Sequence, residues 1–324
     1  MATNPPAGGS VTTSESKAVW HAGSTPLAVV MISYNEAHNM GGVLENLKGF
    51  AQEVFLVDSY STDQTVDIAL SHGVHVVQRR FHGFGDQWNF AIAELPITAP
   101  WTMKLDPDER LTNGLKDSIT AAIKEGKAGA WRVRRRLWFM GCPLPVTQFL
   151  LRGWRTGTCR FSDVLVNEHP LVLGSIGDTR GELEHHDSPD LHHWFDKQNR
   201  YSSAEALSAF RGAPLSAKPR LFGVPLERRM WLKLYLSRIP LRSLIIFVYC
   251  YFWQGAWRAG RPGYIWSRLR VDVYRMRILK LAEMRLRGRE LWLADPVLGP
   301  AHPNAVQADL REDSSGEVSQ MMQK

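Results

Sequence analysis

Three aspartates stand where apolar runs stop. Asp58 closes EVFLV, Asp106 closes WTMKL, and Asp108 follows Asp106 with only Pro107 between them and Glu109 beside it. Pro107 stiffens that turn and donates no hydrogen bond, so the carboxylates of LDPDE can be held in a fixed relation. Two oxygen ligands so spaced suit a hard divalent cation, Mg²⁺ or Mn²⁺, which takes its other ligands from a diphosphate and water. The plain alternative is a solvated acidic turn. Delivery of the pair by a buried strand would favour the metal.

The elements that must position these residues follow from the apolar pattern. Residues 27–33 (LAVVMIS) form a continuous apolar, β-branched run, followed by Tyr34, Asn35 and Glu36 and then a helical pattern through Leu44, Leu47 and Phe50. The unit recurs as a strand at 54–57, a helix through Val66 and Ala69, a strand at 74–77, a helix near 88–93 and a strand at 101–105. Such alternation predicts a parallel sheet covered on both faces, with ligands gathered beyond the carboxyl ends of its strands. Residues 128–186 read as more antiparallel, 190–211 as a helix, and 221–286 as helical, basic and rich in Trp and Tyr.

SYNE, DSYSTDQT, FHGFGDQWNFAI and LDPDE, in this order, resemble segments of the inverting family-two glycosyltransferases. The resemblance implies the α/β GT-A fold, a Rossmann-like mixed sheet with helices on both faces. It is closest to the branch that builds the lipopolysaccharide core, where the segments read approximately KNE, DSGSTDxT, GFGxQxNFA and LDADE, and it covers about residues 26–205. By this resemblance Asn35 and Glu36 face the nucleotide, Asp58 addresses the uracil and ribose end of the donor, and Gln87 and Asn89 lie near the donor. Asp106 falls near the ribose and Asp108 on the metal. The segment LVNE resembles the family's LVHE, which makes Glu168 the general base, with Asp163 or Glu109 next in line. GELEHH resembles LxHxS, and the sixteen residues from His185 to Tyr201 favour His185 over His186 as a metal contact. Arg152 resembles an arginine that pairs with diphosphate through its fork of donors, a structural salt bridge being the alternative. For Asn35 and Asn89 the alternative is helix capping. Three departures stand out: Pro107 for Ala, Tyr60 for Gly and Asn167 for His.

The resemblance implies transfer of one sugar, with inversion, from a nucleotide diphosphate sugar such as UDP-glucose to a lipid-linked saccharide such as lipopolysaccharide core. Transfer to polyprenyl phosphate is the runner-up, and a non-catalytic membrane-surface binding protein is the alternative of another class. Asp58, Asp106, Asp108 and Glu168 together argue against the last.

Composition sets the remaining bounds. A chain of 324 residues with 44% hydrophobic and 22% charged residues is neither disordered throughout nor fibrous. Its three cysteines form no CxxC, so no disulfide framework or cysteine-rich zinc site holds it, and a reducing setting is expected. The net charge of +7 is unevenly spread: residues 211–290 hold 18 basic and 4 acidic side chains, which leaves the rest of the chain at −7. Residues 243–257 are uncharged, but a helix of that length, at about 1.5 Å per residue, falls short of a roughly 30 Å hydrocarbon core. Arg238, Arg242, Arg258 and Arg261 with Trp231, Trp253, Trp257 and Trp266 suit helices lying on an anionic membrane surface, where each basic residue contributes about 1 kcal/mol. An ordinary helical subdomain is the alternative, and nucleic acid is not expected as a partner. The expected organisation is a disordered leader (1–24), a GT-A domain (25–210), a basic aromatic helical region on the membrane (211–292) and a disordered tail (293–324). The expected location is cytoplasmic, peripheral on the inner face of the cytoplasmic membrane.

Overall fold

Strand β1 (Thr25–Ser33) is apolar without a break because both of its faces are covered. Leu27, Val29 and Met31 enter one core, Ala28 and Val30 the other, and all five are fully buried. The computed structural model describes residues 18–162, 169–212 and 241–290, with 218–220, 222–223, 227–228, 230–231 and 235. In it β1 lies between β2 (Ala51–Asp58) and β4 (Trp101–Lys104), parallel to both, and β3 (His75–Gln78) pairs parallel with β2. Helices α1 (Ala37–Leu47), α2 (Thr65–Ser71) and α4 (Asn113–Glu125) place Leu44, Ala69, Leu115 and Ile119 against the first face. Helix α3 (Phe84–Glu94) packs Trp88 and Ala91 on the second. Each large apolar side chain so buried stabilises the fold by about 1.5–3 kcal/mol.

Beyond β4 the sheet turns mixed. Strand β7 (Cys142–Arg155) pairs antiparallel with β4 and with β6 (Ala130–Phe139). The antiparallel expectation for 128–186 holds there, but β10 (Ile176–Asp178) and β11 (Leu183–His186) return parallel to β6. A short β5 (Glu109–Leu111), which no apolar run announces, pairs antiparallel with β11 and so ties LDPDE to the segment bearing His185. Strands β8 (Cys159–Phe161) and β9 (Pro170–Val172) form a separate ribbon.

Trp20, placed in the leader by composition, packs against the first core and donates its indole N–H to the Ala51 carbonyl at 3.1 Å. Residues 1–17 and 291–324 lie outside the described residues. Helix α5 (Leu191–Phe210) follows the sheet; after it come α6 (Arg242–Val248), a π-helical turn (Tyr249–Trp253), a 3₁₀ turn (Ala256–Ala259) and the long α7 (Gly260–Arg287). A third core joins these elements to the sheet: Ile246, Cys250, Ala256 and Trp266 pack with Phe139, Leu144 and Val146 of the β6–β7 hairpin and with Trp194 of α5. No helix among the described residues is long and apolar enough to cross a membrane.

The β6–β7 pairing depends on one close approach. Gly153 lies opposite Trp131, and a Cβ on it would come within 2.1 Å of the indole, which itself packs on Trp101 at a centroid distance of 4.7 Å. Gly153→Ala should therefore cost about 1–3 kcal/mol through overpacking. That loss would be read as a lower urea midpoint with an unchanged m-value, and an unchanged midpoint would mean the indole is free to move aside.

Candidate active site

The loops after β1 and β2 are stitched into one surface. The Asn35 backbone, at φ +55°, donates to Ser61 Oγ at 2.9 Å, and its side-chain Oδ1 accepts from the Thr62 N–H at 2.8 Å. Glu36 N–H donates to Thr65 Oγ1 at 2.8 Å, and Ala37 N–H, at the start of α1, donates to Asp63 Oδ2 at 3.1 Å. The second loop thus caps the helix of the first. Asp58 is fully buried and organises its own loop: its carboxylate accepts from Ser33 Oγ at 2.8 Å, Ser61 N–H at 2.8 Å, Gln78 Nε2 at 3.1 Å and Ser61 Oγ. Tyr60 adopts φ +60°, the left-handed region that explains why the resembling segments carry Gly there.

LDPDE is fixed from below by an ion cluster. Arg152, on β7 and 3% exposed, donates to Asp106 Oδ2 at 2.8 Å and to Glu109 Oε1, while Glu109 Oε2 accepts the Asp106 N–H at 3.1 Å. The structure displays the salt bridge for Arg152: its Nη2 serves both carboxylates, while its Nε is buried without a hydrogen-bond partner. Burial opposes the charge of Asp106, but Arg152 and Lys104 outweigh it and hold the carboxyl down at about 2. Burial pushes Glu109 up, and Asp106 adds to that effect against Arg152. Lys104 lies beneath the Trp88 and Phe161 rings, at 4.3 and 5.4 Å.

Asp108 faces the other way. Its Oδ2 lies 3.0 Å from Lys197 Nζ and 3.3 Å from His185 Nε2, and its Oδ1 is buried without a hydrogen-bond partner. Asp187 completes the group, 3.8 Å from His185 Nε2 and 3.1 Å from Lys197. One ligand atom each from Asp108, His185 and Asp187 lies within 4.8 Å of the others, which suits a single cation. Burial opposes the charge of Asp108, yet Lys197 and His185 hold it well below the ordinary carboxylate range. Burial alone would lower Lys197, but Asp108 and Asp187 keep it firmly charged. Burial and the nearby Asp108 raise Glu36 to about 7. His186 points elsewhere: it stacks on Trp138 at 4.8 Å and lines a cavity of about 170 Å³ with Asn39, Met140, Gly141, Ser188 and Pro189.

The structure therefore brings Glu36, Asp106, Asp108 and His185 together. Asp58 and Asn35 shape the adjoining loops. Gln87 is buried and bonded to Arg79 Nη1 at 2.7 Å, and Asn89 exchanges two hydrogen bonds with the Phe161 backbone. Asn89 thus ties α3 to β8 rather than capping a helix. Glu168, with Asp163, lies outside the described residues. Sequence reasoning missed Asp187 and Lys197. Asp187 had a signal, an acid two residues past His185, whereas Lys197 arrives from α5 with none.

Residues 28–137 match the family described as Glycosyl transferase family 2. The chain is 27% identical over 252 residues to the lipopolysaccharide core biosynthesis glycosyltransferase LpsC of Rhizobium meliloti, covering 74% of this chain and 86% of that protein. An uncharacterized glycosyltransferase of Rickettsia typhi is 23% identical over 285 residues, 83% of this chain and 91% of its own length. Among solved structures, S. aureus TarS (1–349) aligns with a TM-score of 0.40 at 14% identity, covering 81% of this chain and 92% of that one.

Arg152→Met should lower stability by about 3–5 kcal/mol, because Asp106 and Glu109 would remain buried without their cation. Chemical denaturation checks this. A variant of unchanged stability that only lost nucleotide affinity would return Arg152 to the diphosphate.

Proposed function

We propose that the protein is an inverting, metal-dependent hexosyltransferase. It would move one sugar, glucose from UDP-glucose in the first instance, to a lipid-linked saccharide of the lipopolysaccharide-core kind, as a peripheral protein on the inner face of the cytoplasmic membrane. One observation carries the reading: at the end of a buried strand in a glycosyltransferase family 2 domain, Asp108, His185 and Asp187 converge, with Asp108 Oδ1 buried and unpartnered. The likeness to LpsC supports the acceptor class.

Asp108, His185 and Asp187 would hold the cation, and their mix of two carboxylates and an imidazole suits Mn²⁺ as well as Mg²⁺. When bound, such an ion neutralises charge developing on a departing nucleoside diphosphate. The braced loops of Asn35, Glu36 and Asp58 would bound the nucleotide side. Asp106, with Oδ2 fixed by Arg152 and its side chain 32% exposed, would keep one oxygen for the donor's ribose. Inversion requires direct displacement at the anomeric carbon, so the acceptor hydroxyl must give up its proton as it attacks. Glu168 is the residue assigned to take it.

Two variants separate these roles. Asp108→Asn should weaken binding of UDP-sugars in Mn²⁺ by tenfold or more in titration calorimetry and abolish turnover, with an unaltered circular dichroism spectrum. Equal donor affinity with and without chelator, in active enzyme, would remove the metal from the reading. Glu168→Gln should leave donor binding intact while transfer falls by about 10²–10⁴-fold, as expected on losing a positioned base. Near-normal transfer would move that role to Asp163, since Glu109 is fully buried with both oxygens bonded.

A further inference from the structure

Helix α6 and the π-turn after it are apolar on both sides. Ile246 and Cys250 point into the third core, whereas Leu241, Leu244, Ile245, Val248, Phe252 and Trp253 are exposed, Trp253 at 84%. Positions 241, 244, 245, 248 and 252 fall at the three- and four-residue steps of one helical face, where a helix packed on a water-facing domain carries polar residues, and Trp253 follows Val248 by the five-residue step of the π-turn. Trp257 and Tyr264 extend the same exposed surface.

The charge around it has one sign. Between Leu241 and Val271 there are five arginines and no acidic residue. Arg258 and Arg261 are exposed, and Arg258 lies 5.3 Å from the Trp257 ring centroid, so the guanidinium and the indole are presented together. A contiguous apolar patch rimmed only by arginine is complementary to one surface in particular, a bilayer with anionic headgroups: rings enter at headgroup depth and guanidinium groups meet lipid phosphate. A protein partner or a second copy would have to supply an acidic rim around an apolar centre, and nothing among the described residues of this chain has that form.

We infer that the exposed face of α6, the π-turn and the 3₁₀ turn, centred on Phe252 and Trp253, is a docking surface for anionic membrane. Its placement deepens the proposed function and, as to the acceptor, rests on that reading. The face is anchored through Ile246, Cys250 and Ala256 on Phe139 and Leu144, which flank the tip of the β6–β7 hairpin. That same tip supplies Met140 and Gly141 to the cavity beside His186, the neighbour of the metal-ligating His185. A lipid-linked acceptor in the bilayer would thus meet the site along the hairpin, without leaving the surface.

The test uses the full chain and vesicles, with no sugar transfer involved, so its failure is distinct from failure of the transferase reading. Flotation with phosphatidylcholine vesicles containing phosphatidylglycerol should carry the protein at low salt, with weaker binding to phosphatidylcholine alone. Part of the binding should persist at 1 M salt, where screening shortens to about 3 Å. Phe252→Ser with Trp253→Ser should lower the partition coefficient at least tenfold and remove the salt-resistant part. Arg258→Glu with Arg261→Glu should remove the salt-sensitive part. Metal-dependent donor binding and the circular dichroism spectrum should be unchanged in both variants, and Leu279→Ser, an exposed apolar position on α7, serves as the control. Three results would overturn the inference: wild-type protein that ignores anionic vesicles at low salt, serine variants that bind like wild type, or a wild-type dimer that those variants dissociate without any vesicle binding.

Discussion

The geometry of the site depends on one buried cation. Arg152 reaches from β7 across the end of β4 to bind Asp106 and Glu109 together, and Glu109 in turn accepts the Asp106 N–H. Glu109 is fully buried and opens β5, which pairs with β11, so the same charge that fixes the turn also fixes the strand carrying His185. Asp108, between these anchored residues, has no freedom to turn back toward the core. Lost planarity or lost charge at Arg152 would therefore be felt at Asp108 and His185 without any contact to them.

A second constraint acts on the nucleotide side. The loops after β1 and β2 owe their shape to each other: Asp63 caps α1 from outside that helix, Thr65 accepts from Glu36, and Asn35 accepts from Thr62. Asp58 gathers four donors beneath them. Polar side chains are thus occupied in rigidity rather than in reaching outward.

The sequence made the parallel core legible because strands buried on both faces read as unbroken apolar runs, as in Leu27, Ala28, Val29, Val30 and Met31. The return of β10 and β11 was not legible. Three- and four-residue strands carry too little periodicity, and the partner of each is chosen by tertiary packing. In the site, Asp106 and Asp108 could be read from their place at a strand end, and His185 from the resemblance of its segment to the family's. Arg152 could be singled out but not assigned, since the sequence does not say whether a guanidinium meets a ligand or its own carboxylates. Lys197 could not be found at all, because Asp108 lies 89 residues away in the chain and meets it only in the fold.

Lys197 also shows how the charge of the site is already balanced. Its ammonium donates to Asp108 Oδ2 at 3.0 Å and the Asp187 carbonyl at 3.0 Å, and lies 3.1 Å from Asp187 Oδ1. Two of these contacts are hydrogen bonds and the third an ion pair, so one positive charge is already shared between two carboxylates. On the proposed function a nucleoside diphosphate would add negative charge to a pocket that also holds Glu36 and Asp106. On the same reading a cation among Asp108, His185 and Asp187 would restore the balance, and Asp108 keeps one oxygen, Oδ1, buried and without a hydrogen-bond partner.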